Sequence, residues 1–164
     1  MPEMRPVILQ RFIKNRGLAS DVIAEDTDSL FSHAEFGTPE GTWIGAHIDG
    51  GVQERAADYC DPVRDYRYEI PLPSELALEQ WLTLIRADIG LDYNVTGILG
   101  LATHIRALNN PHAVDCSEWC AEKLIEFLGA PKVLNVLPER AYLITPEDLH
   151  LSPLFVGRMV YRRG

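Results

Sequence analysis

Two short apolar runs, SHAEF and TWIGAHI, flank the pentapeptide Gly37-Thr38-Pro39-Glu40-Gly41. A short connection built from Gly and Pro suits a hairpin, so the spacing predicts two adjacent antiparallel strands. One rises through His33 to Phe36, and the other covers Thr42 to Ile48. PVILQRFI, residues 6–13, is apolar and β-branched enough for a first strand. Asp49, Gly50 and Gly51 break the second hairpin strand, and the polar and aromatic residues up to Pro73 predict further short strands and loops.

Helical patterns then take over. SELALEQWLTLIRADIG predicts a helix with Ser74 as its N-cap, an apolar stripe of Leu78, Trp81, Leu82 and Ile85, and Gly90 at its end. A short helix after Ser20 and a second long one over residues 96–108 are also predicted. A third runs from about Asp115 to Leu128, where Asp115 fits an N-cap, Glu118 the N3 position of a capping box, and Gly129 the C-terminal stop. The Pro-punctuated tail from Lys132 predicts strands or loops closing over the core, not another long helix. The class is α+β, an antiparallel sheet or small barrel packed against helices, in one domain spanning 1–164.

A chain of 164 residues, 46% of them hydrophobic, can bury a core without disulfides. Its three cysteines have no framework spacing and point to a reducing compartment. The net charge of −9 repels phosphate backbones and argues against a nucleic-acid partner. Val7, Ile8 and Leu9 are too short an apolar core for a signal peptide, and no stretch approaches an integral membrane span, so the cytoplasm is the default expectation.

The sharpest question is what Cys116 does at a helix start. It can fill core space, bind metal, or attack a substrate. Unpaired amides and the positive end of the helix dipole favour a thiolate there, whereas Asp115 and Glu118 oppose it. Position alone therefore does not activate this thiol, and a base or cationic partner is needed. Cys120, one turn inside the helix, reads more naturally as core, and Cys60 lies in a predicted loop. Of the five histidines, His33, His47, His104, His112 and His150, the first two fall on the proposed hairpin strands. A strand histidine is usually structural, but two on neighbouring strands raise the case for chemistry.

Taken in order, SHAEF, WIGAHIDGGVQ, GLDYN and DCSEW resemble the permuted branch of the NlpC/P60 superfamily, papain-like cysteine hydrolases that include YiiX-like proteins and relatives of lecithin retinol acyltransferase. In that branch a histidine strand precedes the cysteine helix, as Ser32-His33 precedes Cys116-Ser117-Glu118 here. Asp92-Tyr93 resembles an element found between them, and ITPEDLHLS resembles the closing segment of YiiX-like proteins. The resemblance implies a circularly permuted papain-like fold and a peptidase or amidase acting on a peptide or acyl-containing small substrate, with no cofactor. Cys116 would be the nucleophile, His33 the general base and later acid, and His47 the residue that orients His33, with Asp49 and Glu35 as alternative orienters.

Two rivals stand beside this reading. His33, His47, Cys116 and Cys120 have the ligand types of a Cys2His2 zinc site, although their separations match no strong signature. A hydrolase fold retained only for binding is the other, since fold does not guarantee activity. On the same site, lipid acyl transfer is the alternative chemistry to amide cleavage.

Overall fold

The computed structural model describes residues 5–16, 29–93, 113–129 and 144–164. Strands β1 (Val7–Lys14), β2 (His33–Gly37), β3 (Trp43–His47), β4 (Gly51–Arg55) and β5 (Arg64–Pro71) are followed by helix α1 (Glu75–Arg86). Then come β6 (Asp92–Tyr93), β7 (Ala113–Val114), helix α2 (Cys116–Leu128), helix α3 (Pro146–His150), a 3-10 turn over Pro153–Phe155, and β8 (Met159–Arg163). The helices predicted after Ser20 and over 96–108 lie outside the described residues.

Six strands form one antiparallel sheet in the order β4-β3-β2-β1-β5-β8, with β4 and β8 at its edges. The protein is thus mixed α+β, and among the described residues the strands form this antiparallel sheet and do not close into the small barrel given as an alternative. Residues β6 and β7 pair in parallel as a separate two-stranded element. No helix among the described residues is long and apolar enough to cross a membrane.

The hairpin forms where the Gly-Pro turn predicts it. Thr38 N–H donates to Thr42 O at 3.0 Å, and Gly41 takes a φ of 83°, a left-handed conformation that glycine adopts without steric cost. The β2–β3 ladder then runs through Phe36↔Ile44 and Gly37↔Trp43.

Alternation sends Ile8 and Phe12 of β1, Ala34 and Phe36 of β2, and Ile44 and Ala46 of β3 into one core. The helices close that core through aromatic contacts: the Phe36 ring meets Trp81 of α1 edge-on at 4.7 Å and lies 5.5 Å from Trp119 of α2. Burying these large rings anchors α2 against β2 and β3, and so fixes where the helix start can lie.

One local expectation needs correction. α1 stops at Arg86, not at Gly90, because Asp88 is drawn into contacts with α2: its carboxylate accepts from Trp119 Nε1 at 2.9 Å and pairs with Lys123 at 2.8 Å. Gly90 instead donates its amide to Val52 O at 2.9 Å, joining the turn to β4. Residues 144–164 close over the core as the tail predicts, with no long helix among them: they hold the short α3, fixed by a Thr145–Asp148 capping box, and β8 as an edge strand.

Candidate active site

Asp115 caps α2 by accepting the Glu118 amide at 2.8 Å and the Ser117 hydroxyl at 3.1 Å. Ser117 also donates to Ile144 O at 2.6 Å, which ties the helix start to the segment entering α3. At the other end Gly129 closes the helix in the left-handed region, φ 67°, as its position predicts. Cys116 is consequently the first helical residue and only 4% exposed.

The acidic neighbours that seemed to oppose a thiolate are altered by the same burial. Burial pushes the Asp115 carboxyl up to about 6 despite its hydrogen bonds. Burial, followed by repulsion from Asp115 and Glu122, pushes Glu118 up to about 8. Glu118 is therefore largely protonated at neutral pH, which lessens the negative field around the sulfur.

His33 opens β2 and is 7% exposed. Burial pulls its pKa down, but hydrogen bonding to the Cys116 side chain and to Glu35, with the charges of both, overcomes this and lifts it to about 9. The fold thus brings together a thiol and an imidazole that are remote in sequence. Glu35 Oε2 lies 3.4 Å from His33 Nε2. The Glu35 carboxylate is itself fixed, accepting from Arg11 Nη1 at 2.9 Å and from the Tyr59 hydroxyl at 2.8 Å.

His47 does share the site, but its ring stacks against His33, with centroids 4.5 Å apart and a 38° tilt. Burial first, then the positive charges of His33 and Arg55, pull its pKa down to about 2, so it is neutral. Its Nε2 is buried without a hydrogen-bond partner. Of the three residues considered as orienters of His33, Glu35 is the one whose charge faces the ring. Asp49 is turned toward the surface, where it pairs with Arg55.

Gly45 makes this crowding feasible. A Cβ there would sit 2.9 Å from Glu35 Cβ and 3.1 Å from His33 Nε2. Gly45→Ala is expected to cost about 1–3 kcal/mol by overpacking, measurable as a lower urea midpoint with an unchanged m-value. A variant as stable as the parent would contradict the tight approach.

Tyr93, in the Asp92-Tyr93 element, reaches the same place. Its phenol lies close enough to Cys116 to feel both the sulfur and the backbone N–H of that residue. Burial, with the Cys116 and Asp115 charges, keeps this phenol well above its ordinary range. His33, His47, Tyr59 and Tyr93 all border a cavity of about 230 Å³, whose rim also carries Asn15 and Arg55.

Other candidates separate from the site. Cys120 is fully buried, and Gln10 Nε2 approaches its sulfur at 3.8 Å. His150, half-buried, packs among Phe12, Phe31 and Tyr66 and bonds the Tyr68 hydroxyl at 2.7 Å, so it serves the packing of the sheet against α3. His104 and His112 lie outside the described residues. Among the described residues, the cluster with metal-ligand geometry is His33, Glu35 and His47, and it includes neither cysteine of the Cys2His2 reading.

Glu35 and Arg11 could have been weighted higher from sequence, since Glu35 lies two residues from His33 and so on the same strand face. Tyr59 carried no such signal. No protein-family model matches the chain, and no curated protein matches it.

Proposed function

We propose that the chain is a cysteine hydrolase of permuted papain-like, NlpC/P60-like architecture, cleaving amide bonds of small peptide-like substrates. What supports this reading is the influence of Cys116, at the start of α2, on the protonation of His33, at the start of β2, where the helix packs on the strand. A thiol beside a buried imidazole with a carboxylate behind it satisfies the chemical demand for an activated nucleophile, a base and an orienter.

In the proposed cycle His33 takes the Cys116 proton, and the resulting imidazolium, steadied by Glu35, stabilises the thiolate. The sulfur attacks the substrate carbonyl, and negative charge moves to its oxygen. Donors for that oxyanion are the Cys116 backbone N–H and the Tyr93 hydroxyl, which swings from its present contacts to the substrate. Collapse expels the amine, which receives the proton from His33 and leaves an acyl-enzyme. Water then attacks the thioester while His33 accepts its proton. Return of that proton to the departing sulfur releases the acid and restores the thiol.

Tyr93→Phe should then lower kcat by about 100-fold with little change in KM, since its hydroxyl matters mainly to the developing charge. Steady-state kinetics check this, and an unchanged kcat contradicts the assignment. A polar rim with Asn15 and Arg55 suits peptide amides better than long acyl chains. An apolar cavity of about 300 Å³ does exist, but it lies beside Leu9, Gly37 and Leu78, at the turn end of β2 away from His33.

The direct experiment is to incubate the protein with a small activated ester such as p-nitrophenyl acetate and map the adduct by peptide mass spectrometry. Acyl transfer to Cys116, discharged by water, is expected. An adduct confined to Cys60, or none, overturns the reading.

A further inference from the structure

We propose that His33, Glu35 and His47 form a zinc(II)-class binding site, and that metal captured there withdraws His33 from Cys116. Metal binding is argued independently of the hydrolase reading; only the inhibitory consequence rests on it.

Buried polar atoms in native folds nearly always have partners. Here His47 Nε2 is buried with no hydrogen-bond partner, His33 Nε2 is buried with the Glu35 carboxylate beside it at 3.4 Å, and the two nitrogens belong to stacked rings on neighbouring strands. Both residues are more than nine-tenths buried, at 7% and 8% exposure. A carboxylate oxygen completes the group, and the ligand atoms of all three residues lie within 4.8 Å of one another.

The spacing suits a specific ion class. Two ligands each about 2.0–2.1 Å from a tetrahedral zinc stand about 3.4 Å apart. Glu35 Oε2 and His33 Nε2 are already separated by 3.4 Å. The His47 ligand atom lies within 4.8 Å of the other two, and its ring closes the remaining distance on binding. Two imidazoles and one carboxylate are borderline ligands that favour zinc and its first-row neighbours over calcium or magnesium.

An outer shell is present as well. Arg11 holds Glu35 Oε1 at 2.9 Å, and the Tyr59 hydroxyl holds Oε2 at 2.8 Å, so the carboxylate is oriented in advance. Three protein ligands leave the fourth position to the cavity bordered by Tyr59 and Tyr93, open to water or a small anion. His33 cannot both ligate through Nε2 and serve Cys116 as an unhindered base, so binding switches off the pair.

Titration of the metal-free protein with zinc(II), in competition with a chromophoric chelator, tests the proposal. One zinc per chain is expected, with affinity unchanged in Cys116→Ala and lowered at least about 100-fold in His47→Gln; Tyr59→Phe should cost about 10-fold. Wild-type protein without zinc affinity, or loss of binding in Cys116→Ala, overturns the site whatever the folding of the other variants. With p-nitrophenyl acetate, one equivalent of zinc should prevent the Cys116 adduct and a chelator should restore it. An adduct formed at full zinc occupancy overturns the inhibitory role. Absence of an adduct in chelated protein counts against the hydrolase alone, because the zinc titration is read without turnover.

Discussion

Cys116→Ala is expected to lower turnover by about 10⁴-fold or more while leaving the fold intact. Among the described residues, the neighbouring Cys120 does not stand in for the proposed nucleophile. Cys120 lies a helical turn further on, is fully buried, and has its thiol pushed well up by burial ahead of the Cys116 charge. Loss of a single sulfur from a nearly buried position removes little packing, so stability should fall by only about 1 kcal/mol. Cys120→Ala should keep its activity. Turnover and a urea melt on both variants separate the two roles, and substantial activity in Cys116→Ala contradicts the nucleophile assignment.

Arg11→Met should be the most destabilising single change in the sheet, by about 3–5 kcal/mol. Arg11 is 2% exposed and bridges two buried carboxylates, donating Nη1 to Glu35 at 2.9 Å and Nη2 to Asp65 at 2.8 Å. Its guanidinium also lies 4.5 Å over the Trp43 ring. Burial alone would lower the Arg11 pKa, but the Asp65 hydrogen bond and the Glu35 and Asp65 charges raise it well above the ordinary value. Methionine fills the volume without the charge and leaves both buried carboxylates without the guanidinium that bridges them. Asp65 retains Arg67, at 2.8 Å, whereas Glu35 loses its closest cation and keeps His33, at 3.4 Å, and the Tyr59 hydroxyl. Adding Glu35→Gln to Arg11→Met should recover part of the loss, a coupling that a double-mutant cycle by urea denaturation measures. A single-variant cost below about 1 kcal/mol would contradict the bridging role.

Local signals made some parts of this architecture legible and long-range ones hid the rest. The β2–β3 hairpin followed from its Gly-Pro turn, and both ends of α2 followed from Asp115 and Gly129, because turns and caps are decided within a few residues. The end of α1 did not, since the contacts that commit Asp88 come from Trp119 and Lys123 on another helix. Likewise Gln10 and Arg11 are consecutive and both buried, which defeats a simple inside-outside reading of β1. At the site, strand periodicity put His33, Glu35, Gly45 and His47 on matching faces, but could not distinguish a stacked ring from a facing carboxylate. That choice depended on side-chain geometry: a 4.5 Å ring stack for His47 and a 3.4 Å approach for Glu35.

Burial of Glu118 revised the electrostatic argument in the same way. A capping carboxylate looked like an obstacle to a thiolate, yet exclusion of water favours its neutral form. The feature that counted against chemistry in the sequence is thus weakened by the fold that assembles the pair.

The most direct measurement of the Cys116–His33 couple is the alkylation rate of each cysteine by iodoacetamide at near-neutral pH, in metal-free wild-type protein and in His33→Ala. Cys60 is half-buried, and burial pushes its thiol up, so it serves as an internal reference. Cys116 is predicted to react at least about tenfold faster than Cys60 and to lose that advantage in His33→Ala, where the cation beside the sulfur is gone. Faster reaction at Cys60, or a Cys116 rate untouched by His33→Ala, would contradict the account.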